Sequence, residues 1–272
     1  MDAFIAFFEN MPNLYKLAWI FICLSFTWLL EFSVPLTTLN YRKWRHAGRN
    51  LIFLSTSLII NVLFGLATVG VFYWLGESEF GLLNLVQLNP WLALLLSIMA
   101  LDFVAQWFAH FLLHRVKWMW KFHLVHHSDT KVDATTGTRH HPGDYLIREV
   151  FSLATIIIFG IPLGFYLFYR ILTVFFAYFT HANIRLPQWL DKALSLVIVT
   201  PNMHKFHHHF ERPWTDTNFG NIFSFWDRAL GTMVYDDPKK VRYGVDVLND
   251  SLDEDVIYQF KVPFDKRVKT DY

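Results

Sequence analysis

The chain has 272 residues, 54% of them hydrophobic and 18% aromatic, with a mean hydropathy of +0.28 and a formal net charge of +1. That is too apolar for an ordinary soluble domain, whose surface needs more charge than this chain carries. The near-neutral balance, with no basic stripe, gives no support to a nucleic-acid-binding role.

Residues 1–13 carry Asp2 and Glu9, lack a basic leader and are followed by no small-residue cleavage site, so they do not read as a cleaved signal. Apolar runs at 14–36, 51–75 and 90–113 each reach the roughly 20 residues that a membrane-spanning helix needs. Cys23, within the first run, is the only cysteine, which excludes a disulfide framework and a thiolate metal site. Loop 37–50 holds Arg42, Lys43, Arg45 and Arg49 without an acid, whereas loop 76–89 holds Glu77 and Glu79 without a base. The positive-inside rule then places the first loop in the cytoplasm and the second outside. His46, among the basic residues, reads as solvated, and Glu31 as interfacial.

The third run delivers the segment HFLLH at 110–114 to the cytoplasmic side, where Arg115, Lys117 and Lys121 follow, and HLVHH comes next at 123–127. Residues 146–180 are too long for one span and are interrupted by Gly160-Ile161-Pro162-Leu163-Gly164. Proline between glycines breaks a helix and permits a reversal. This run therefore predicts a hairpin with legs of about 15 residues, roughly 22 Å each, which enters and leaves on one side and returns His181 to the clusters. From about 184 the chain turns polar, with turns at Glu211-Arg212-Pro213 and Asp236-Asp237-Pro238, and carries HKFHH at 204–208. Residues 245–272 read as an irregular polar tail. The expected fold is a single all-α polytopic membrane domain: three transmembrane helices, a helical hairpin and a cytoplasmic histidine-rich helical cap. Such a protein suits a bacterial inner membrane and an endoplasmic reticulum equally.

The three clusters carry His110, His114, His123, His126, His127, His204, His207 and His208, eight of the chain's thirteen histidines. Helical residues three and four apart share a face, so each cluster presents its imidazoles in one direction. Imidazole is the commonest side-chain metal ligand and suits iron, zinc, copper and nickel. Eight nitrogens exceed what one ion uses, so two metals are expected, and His181 supplies a ninth ligand from its return position. His209 adjoins the last cluster but is rotated about 100° from His208, so it is left out.

Behind the ligands, Asp102, Gln106, His110 and His114 fall at successive four-residue steps. Asp102 and Gln106 either support the ligands or floor a substrate channel, or Asp102 pairs with a cation such as Arg170 for structure alone. His141, in the loop before the hairpin, is the favoured partner for a ligand's second nitrogen, ahead of His140. Such a donor set fits a metal-dependent enzyme whose cofactor carries chemistry that no side chain supplies. A membrane dizinc hydrolase is an alternative, although no carboxylate lies within the clusters as a general base, in contrast to HExxH enzymes. A metal transporter is a weaker one, because its ligands belong at mid-membrane. Histidine sites also accept zinc readily, so the ion held is not fixed by the donors.

The pattern HFLLH, HLVHH, Thr180-His181-Ala182-Asn183, HKFHH resembles that of the fatty acid hydroxylase and sterol desaturase superfamily of integral-membrane di-iron oxygenases. Residues 136–142 (TGTRHHP), 215–220 (TDTNFG) and 226–232 (WDRALGT) resemble further family motifs, and the likeness covers about 50–235. It implies two iron ions, O2 as co-substrate, a membrane lipid (sterol, fatty acyl or alkylglycerol chain) as substrate, and Asn183 as a residue near the ligands. Fatty acid 2-hydroxylases often carry another histidine where Arg185 stands, so the likeness leans towards the sterol desaturase and alkylglycerol monooxygenase branches. With no haem-carrier domain in sight, it also implies an external electron donor, a reductase or small redox protein.

Overall fold

In a computed structural model of the chain, residues 1–269 are described, and the last three residues of the expected polar tail lie outside the described residues. A short helix α1 (Asp2–Glu9) precedes α2 (Asn13–Ser33) and the long α3 (Lys43–Ser78). Along α3, Ile59, Val62, Leu63, Leu66 and Val69 are 60 to 81% exposed. An apolar belt of that extent needs lipid, not water, around it.

Asn89 starts α4 (Pro90–Ala100) by accepting from the Trp91 amide at 2.9 Å, with Pro90 in the first turn where its missing N–H costs nothing. The helix runs on through a π-wound stretch, Leu101–Phe108, into α5 (Ala109–Arg115). Extended Val116 ends it, and the chain restarts as α6 (Lys117–His127). A 3-10 turn, Ala134–Thr138, leads to α7 (Pro142–Phe159) and α8 (Leu163–His181). The reversal between α7 and α8 is made by Gly160 at φ +67°, a conformation that a side chain would strain, followed by Pro162 as the N-cap of α8.

The helices long and apolar enough to cross a membrane are not distributed as the expected three helices plus a short hairpin. Among the described residues, four segments are long and apolar enough to cross: Asn13–Ser33, Lys43–Asn84, Pro90–Arg115 and Leu163–His181. The hairpin legs have 18 and 19 residues, about 27 and 28 Å at 1.5 Å per residue. The apolar run at 146–180 understated the first leg, because α7 opens with the polar turn Pro142-Gly143-Asp144.

The remaining helices, α9 (Gln188–Leu194), α10 (Pro201–His207), α11 (Phe225–Ala229) and α12 (Val256–Lys261), are short. One apolar core joins α4, α7 and α8 through Leu94, Ile98, Leu101, Ile156, Phe165 and Tyr169. A second packs Cys23 and Leu24 of α2 against Tyr178 of α8 and Ala182 just after it. The tail is not the irregular polar segment expected. Val245, Val262 and Val268 pack with Phe53, Trp120, Leu124 and Val125, apolar positions too widely spaced to show a period in sequence.

Candidate metal centre

All nine expected ligand histidines converge, from α5, α6, the last residue of α8, and α10 with its C-cap His208. They sort into two sets. His110, His114, His123, His127 and His207 form one, and His126, His181, His204 and His208 the other, with the ligand atoms of each set within 4.8 Å of one another. The two sets meet through adjacent residues of α6 and α10, since His126 and His127 face different sets, as do His207 and His208. Within the sets, Nε2 of His110 lies 2.9 Å from Nε2 of His123, and Nε2 of His181 lies 3.1 Å from His126 and 3.0 Å from His204.

Several rings are held from behind. The Nδ1 of His110 bonds the Phe219 carbonyl at 2.9 Å, that of His207 the Thr217 carbonyl at 2.8 Å, and that of His181 the Ala177 carbonyl at 2.7 Å. The Nδ1 of His123 bonds Asp144 at 2.8 Å and that of His114 bonds Asp216 at 3.2 Å. A partner on one nitrogen fixes the tautomer and frees the other as a ligand. Burial, and next the neighbouring imidazoles, hold His126, His127, His204, His207 and His208 well below the usual histidine pKa. Burial carries His123 down to about 3 against the pull of Asp144. These rings are neutral at pH 7, the form that binds metal.

The donors fit a pair of metal ions. Nε2 of His114, Nε2 of His207 and both ring nitrogens of His127 and His208 are buried without a protein partner. Buried polar atoms are nearly always satisfied, so such a concentration of orphans points to ligands. The closest ring nitrogens, 2.9 to 3.1 Å apart, lie near enough to share one ion.

The residues expected behind the ligands are distributed differently. Asp102 neither reaches a histidine nor pairs with Arg170. Its carboxylate accepts from the amides of Ile222 (3.0 Å) and Phe223 (3.1 Å) and from Trp226 Nε1 (3.1 Å), while Arg170 pairs with Glu149. The π-wound stretch turns less per residue than an α-helix, which takes Asp102 off the expected stripe. Gln106 accepts from Arg148 at 3.3 Å, and Arg148 in turn donates to Asp144 at 3.0 Å. Gln106 therefore lies three contacts from His123.

His141 is spent on the chain, capping α7 through the Gly143 amide and meeting the Phe260 carbonyl at 3.3 Å. Its neighbour His140 reaches the centre, bonding Asp144 at 3.0 Å and stacking on His126 at 4.5 Å. Asn183 ties Glu31 to the Thr37 backbone. His46 is buried, not solvated, beside Asn50 (3.1 Å) and Asp129 (3.3 Å), because the basic loop already coils into α3 there. Glu31 is buried as well, accepting from the amides of Ala134 and Asn183. His209 turns away onto Trp214.

Sequence reasoning missed Asp144, Asp216 and Arg148, and ranked His140 behind His141. The one signal for Asp216 was the 215–220 motif, which forms the wall behind the five-histidine set through Asp216, Thr217 and Phe219. Asp227 locks that wall by accepting from the amides of Phe219 and Gly220, each at 2.9 Å.

Residues 94–232 match the sequence model of the fatty acid hydroxylase family, about half of the chain and a narrower stretch than the 50–235 of the motif likeness. The chain belongs to the fatty acid hydroxylase family. It is 31% identical over 124 residues to an ornithine lipid hydroxylase of Rhizobium tropici, covering 46% of this chain and 37% of that one. It is 26% identical over 182 residues to the alkylglycerol monooxygenase of Homo sapiens, covering 64% and 37%. The Caenorhabditis elegans alkylglycerol monooxygenase is 26% identical over 208 residues, covering 74% and 39%. The matched segments thus span under two-fifths of these relatives' own length. No solved structure matches the chain.

Proposed function

We propose that the protein hydroxylates the hydrocarbon chain of a membrane lipid, using O2 and two iron ions held by the nine histidines. The observation that carries this reading is the buried double set of neutral imidazoles with unpartnered nitrogens, at one end of apolar helices. Bound there, the metals would supply the oxidising power that no side chain has. His110, His114, His123, His127 and His207 would hold one ion, and His126, His181, His204 and His208 the other. Asp144, Asp216 and the carbonyls of Phe219, Thr217 and Ala177 keep the rings in their ligating tautomer. Burial of the rings excludes water from the reacting region.

Hydroxylation is preferred to desaturation because the relatives named above are a hydroxylase and monooxygenases, and their substrates favour an acyl or alkyl chain over a sterol. The basic loop 37–50 supports placing the histidine end of the molecule on the cytoplasmic side. Asp144 and Asp216 lie behind His123 and His114, on the side away from the facing nitrogens, which speaks against a hydrolytic general base and so against the dizinc hydrolase. All nine ligands lie at helix ends or outside the spans, which speaks against a transport path.

Putting one oxygen atom into a C–H bond and reducing the other to water consumes two electrons and two protons. The test is lipid profiling of cells with and without the chain, grown aerobically with iron. A lipid gaining 16 mass units supports the reading. A loss of 2 units indicates desaturation, and product formation equal under argon overturns the oxidative reading.

A further inference from the structure

The tail sorts its charges along its length. Before α12 it is rich in acids, several of them engaged: Glu254 pairs with Arg49, Asp250 with Arg242 at 3.7 Å, and Asp253 takes the Thr130 hydroxyl. From the end of α12 it turns basic: Lys261, Lys266, Arg267 and Lys269 are all exposed, and Asp265 pairs with Arg267 at 2.7 Å, so the excess positive charge is carried by the three lysines. This basic end sits on α6, with Lys121 Nζ donating to the Asp265 carbonyl at 3.4 Å and Phe122 packing on Phe264 at 5.8 Å. Lys117, one turn before Lys121, adds a further exposed cation. Trp118 and Phe264 stand among these charges at 58 and 69% exposure. Exposed aromatics are enriched at protein contacts, and the surrounding cations would steer an acidic partner to them.

Beneath this face, Val262 and Val268 pack with Trp120. The indole of Trp120 in turn lies 4.7 Å from the ring of His114, 5.3 Å from His127 and 6.1 Å from His123. One layer of side chains therefore separates the basic surface from an aromatic ring that touches three members of the five-histidine set. We propose that this face docks an acidic one-electron carrier protein, and that Trp120 bridges the docked carrier to the five-histidine set. The inference rests on the oxidative reading above, since only such a reaction consumes electrons, which the carrier delivers one at a time. An anionic bilayer surface shares the charge complementarity, but it gives no role to an indole packed between the face and the ligands.

The test uses the full chain in nanodiscs of uncharged phosphatidylcholine, with an acidic plant-type [2Fe–2S] ferredoxin as the probe. Binding to the metal-free protein is measured at about 0.02 M and about 0.3 M salt, where charges reach roughly 20 and 6 Å. The wild type should bind at low salt and weaken at high salt. The triple variant Lys261→Glu/Lys266→Glu/Lys269→Glu should bind about tenfold more weakly and lose the salt dependence, while Lys239→Glu, exposed elsewhere, should match wild type. In iron-loaded protein, Trp120→Leu should slow reduction by ferredoxin without changing ferredoxin binding, and Trp120→Phe should restore part of the rate.

Absence of wild-type binding at low salt, or equal binding by the triple variant, overturns the docking face. So does a triple variant whose only change is its extraction from phosphatidylglycerol membranes, which assigns the face to lipid. Equal reduction rates in Trp120→Leu and wild type overturn the bridge. Lipid oxidation driven by dithionite with iron and O2 is measured alongside. If it fails, the oxidative reading falls whatever the carrier does. If it proceeds while ferredoxin binding is absent, only the docking face falls.

Discussion

The two sets of imidazoles differ in what stands behind them. In the five-histidine set, His110, His114, His123 and His207 each have a protein partner on Nδ1. In the four-histidine set, His181 has one, while Nδ1 of His126, His204 and His208 is buried without any. A ring bonded at its back cannot rotate or change tautomer without breaking that bond, whereas a ring held by packing alone can. If the sets hold metal, the five-histidine set should keep its geometry without it, whereas the four-histidine set should depend on the ion for order.

Removing a ligand from either set gives the largest effect. His207→Ala and His126→Ala should each lower lipid oxidation by more than about a hundredfold, above the range of losses caused by residues behind the ligands. Elemental analysis should find two ions per wild-type chain. His207→Ala should retain the ion of the four-histidine set, and His126→Ala that of the other set. If either variant loses both ions, the division into two sets is wrong.

Asp144→Asn tests anchoring itself. It removes the carboxylate that holds His123, His140 and Arg148, and should weaken one of two titrated metal sites by about 10–100-fold. His140→Phe keeps the stacking on His126 and should change neither site by more than about threefold. If both variants weaken binding equally, His140 is a ligand and not a packing neighbour.

The convergence of the nine histidines was legible in sequence because residues four apart on a helix share a face, although His126 and His208 turn to a different set from their neighbours His127 and His207, and the apolar runs marked most of the helices long enough to cross a membrane for a similarly local reason. The anchors were not legible. Asp144 lies 21 residues from His123 and Asp216 lies 102 from His114, and only folding brings such pairs together. The choice of His141 over His140 failed on a detail of chain direction, since His141 is consumed as the cap of α7. Asp102 failed because a π-wound segment carries no mark in composition. His46 failed because a run of basic residues looks the same whether it is a loop or the first turn of a buried helix.

In metal-free protein the neutral rings should make stability depend on pH. His123, at about 3 when folded, lies below the unfolded histidine value of about 6.5. Between these values the unfolded chain binds more protons, so stability is full above pH 6.5 and declines as pH falls towards 3. Denaturation midpoints at pH 7.5 and 5.5 measure this, and a higher midpoint at pH 5.5 would contradict neutral rings.

Gly137→Ala probes the one anchor in the four-histidine set. A Cβ at residue 137 would stand 2.2 Å from the Ala177 carbonyl oxygen and 3.2 Å from Nδ1 of His181, driving apart the bond between them. Overpacking of this kind costs about 1–3 kcal/mol. It should release the metal of the four-histidine set to a chelator faster than that of the other set. Equal release from both sets would mean that the His181 anchor does not matter.

The smallest effect on metal should come from His46→Ala. His127 is the member of the five-histidine set whose ring has no partner behind it, so its position depends on the turn that ends α6. That turn is held by Asp129, which accepts from Thr136 Oγ1 at 2.7 Å and from the Lys131 amide at 2.9 Å, and lies 3.3 Å from His46. Losing the imidazole leaves Asp129 partly unsatisfied in a buried place, at about 1–3 kcal/mol. The melting temperature of the metal-loaded protein should fall while its metal content stays at two. A variant that melts normally but loses one ion would show that His46 acts on the ligands directly, and that the anchoring of the five-histidine set extends to His127.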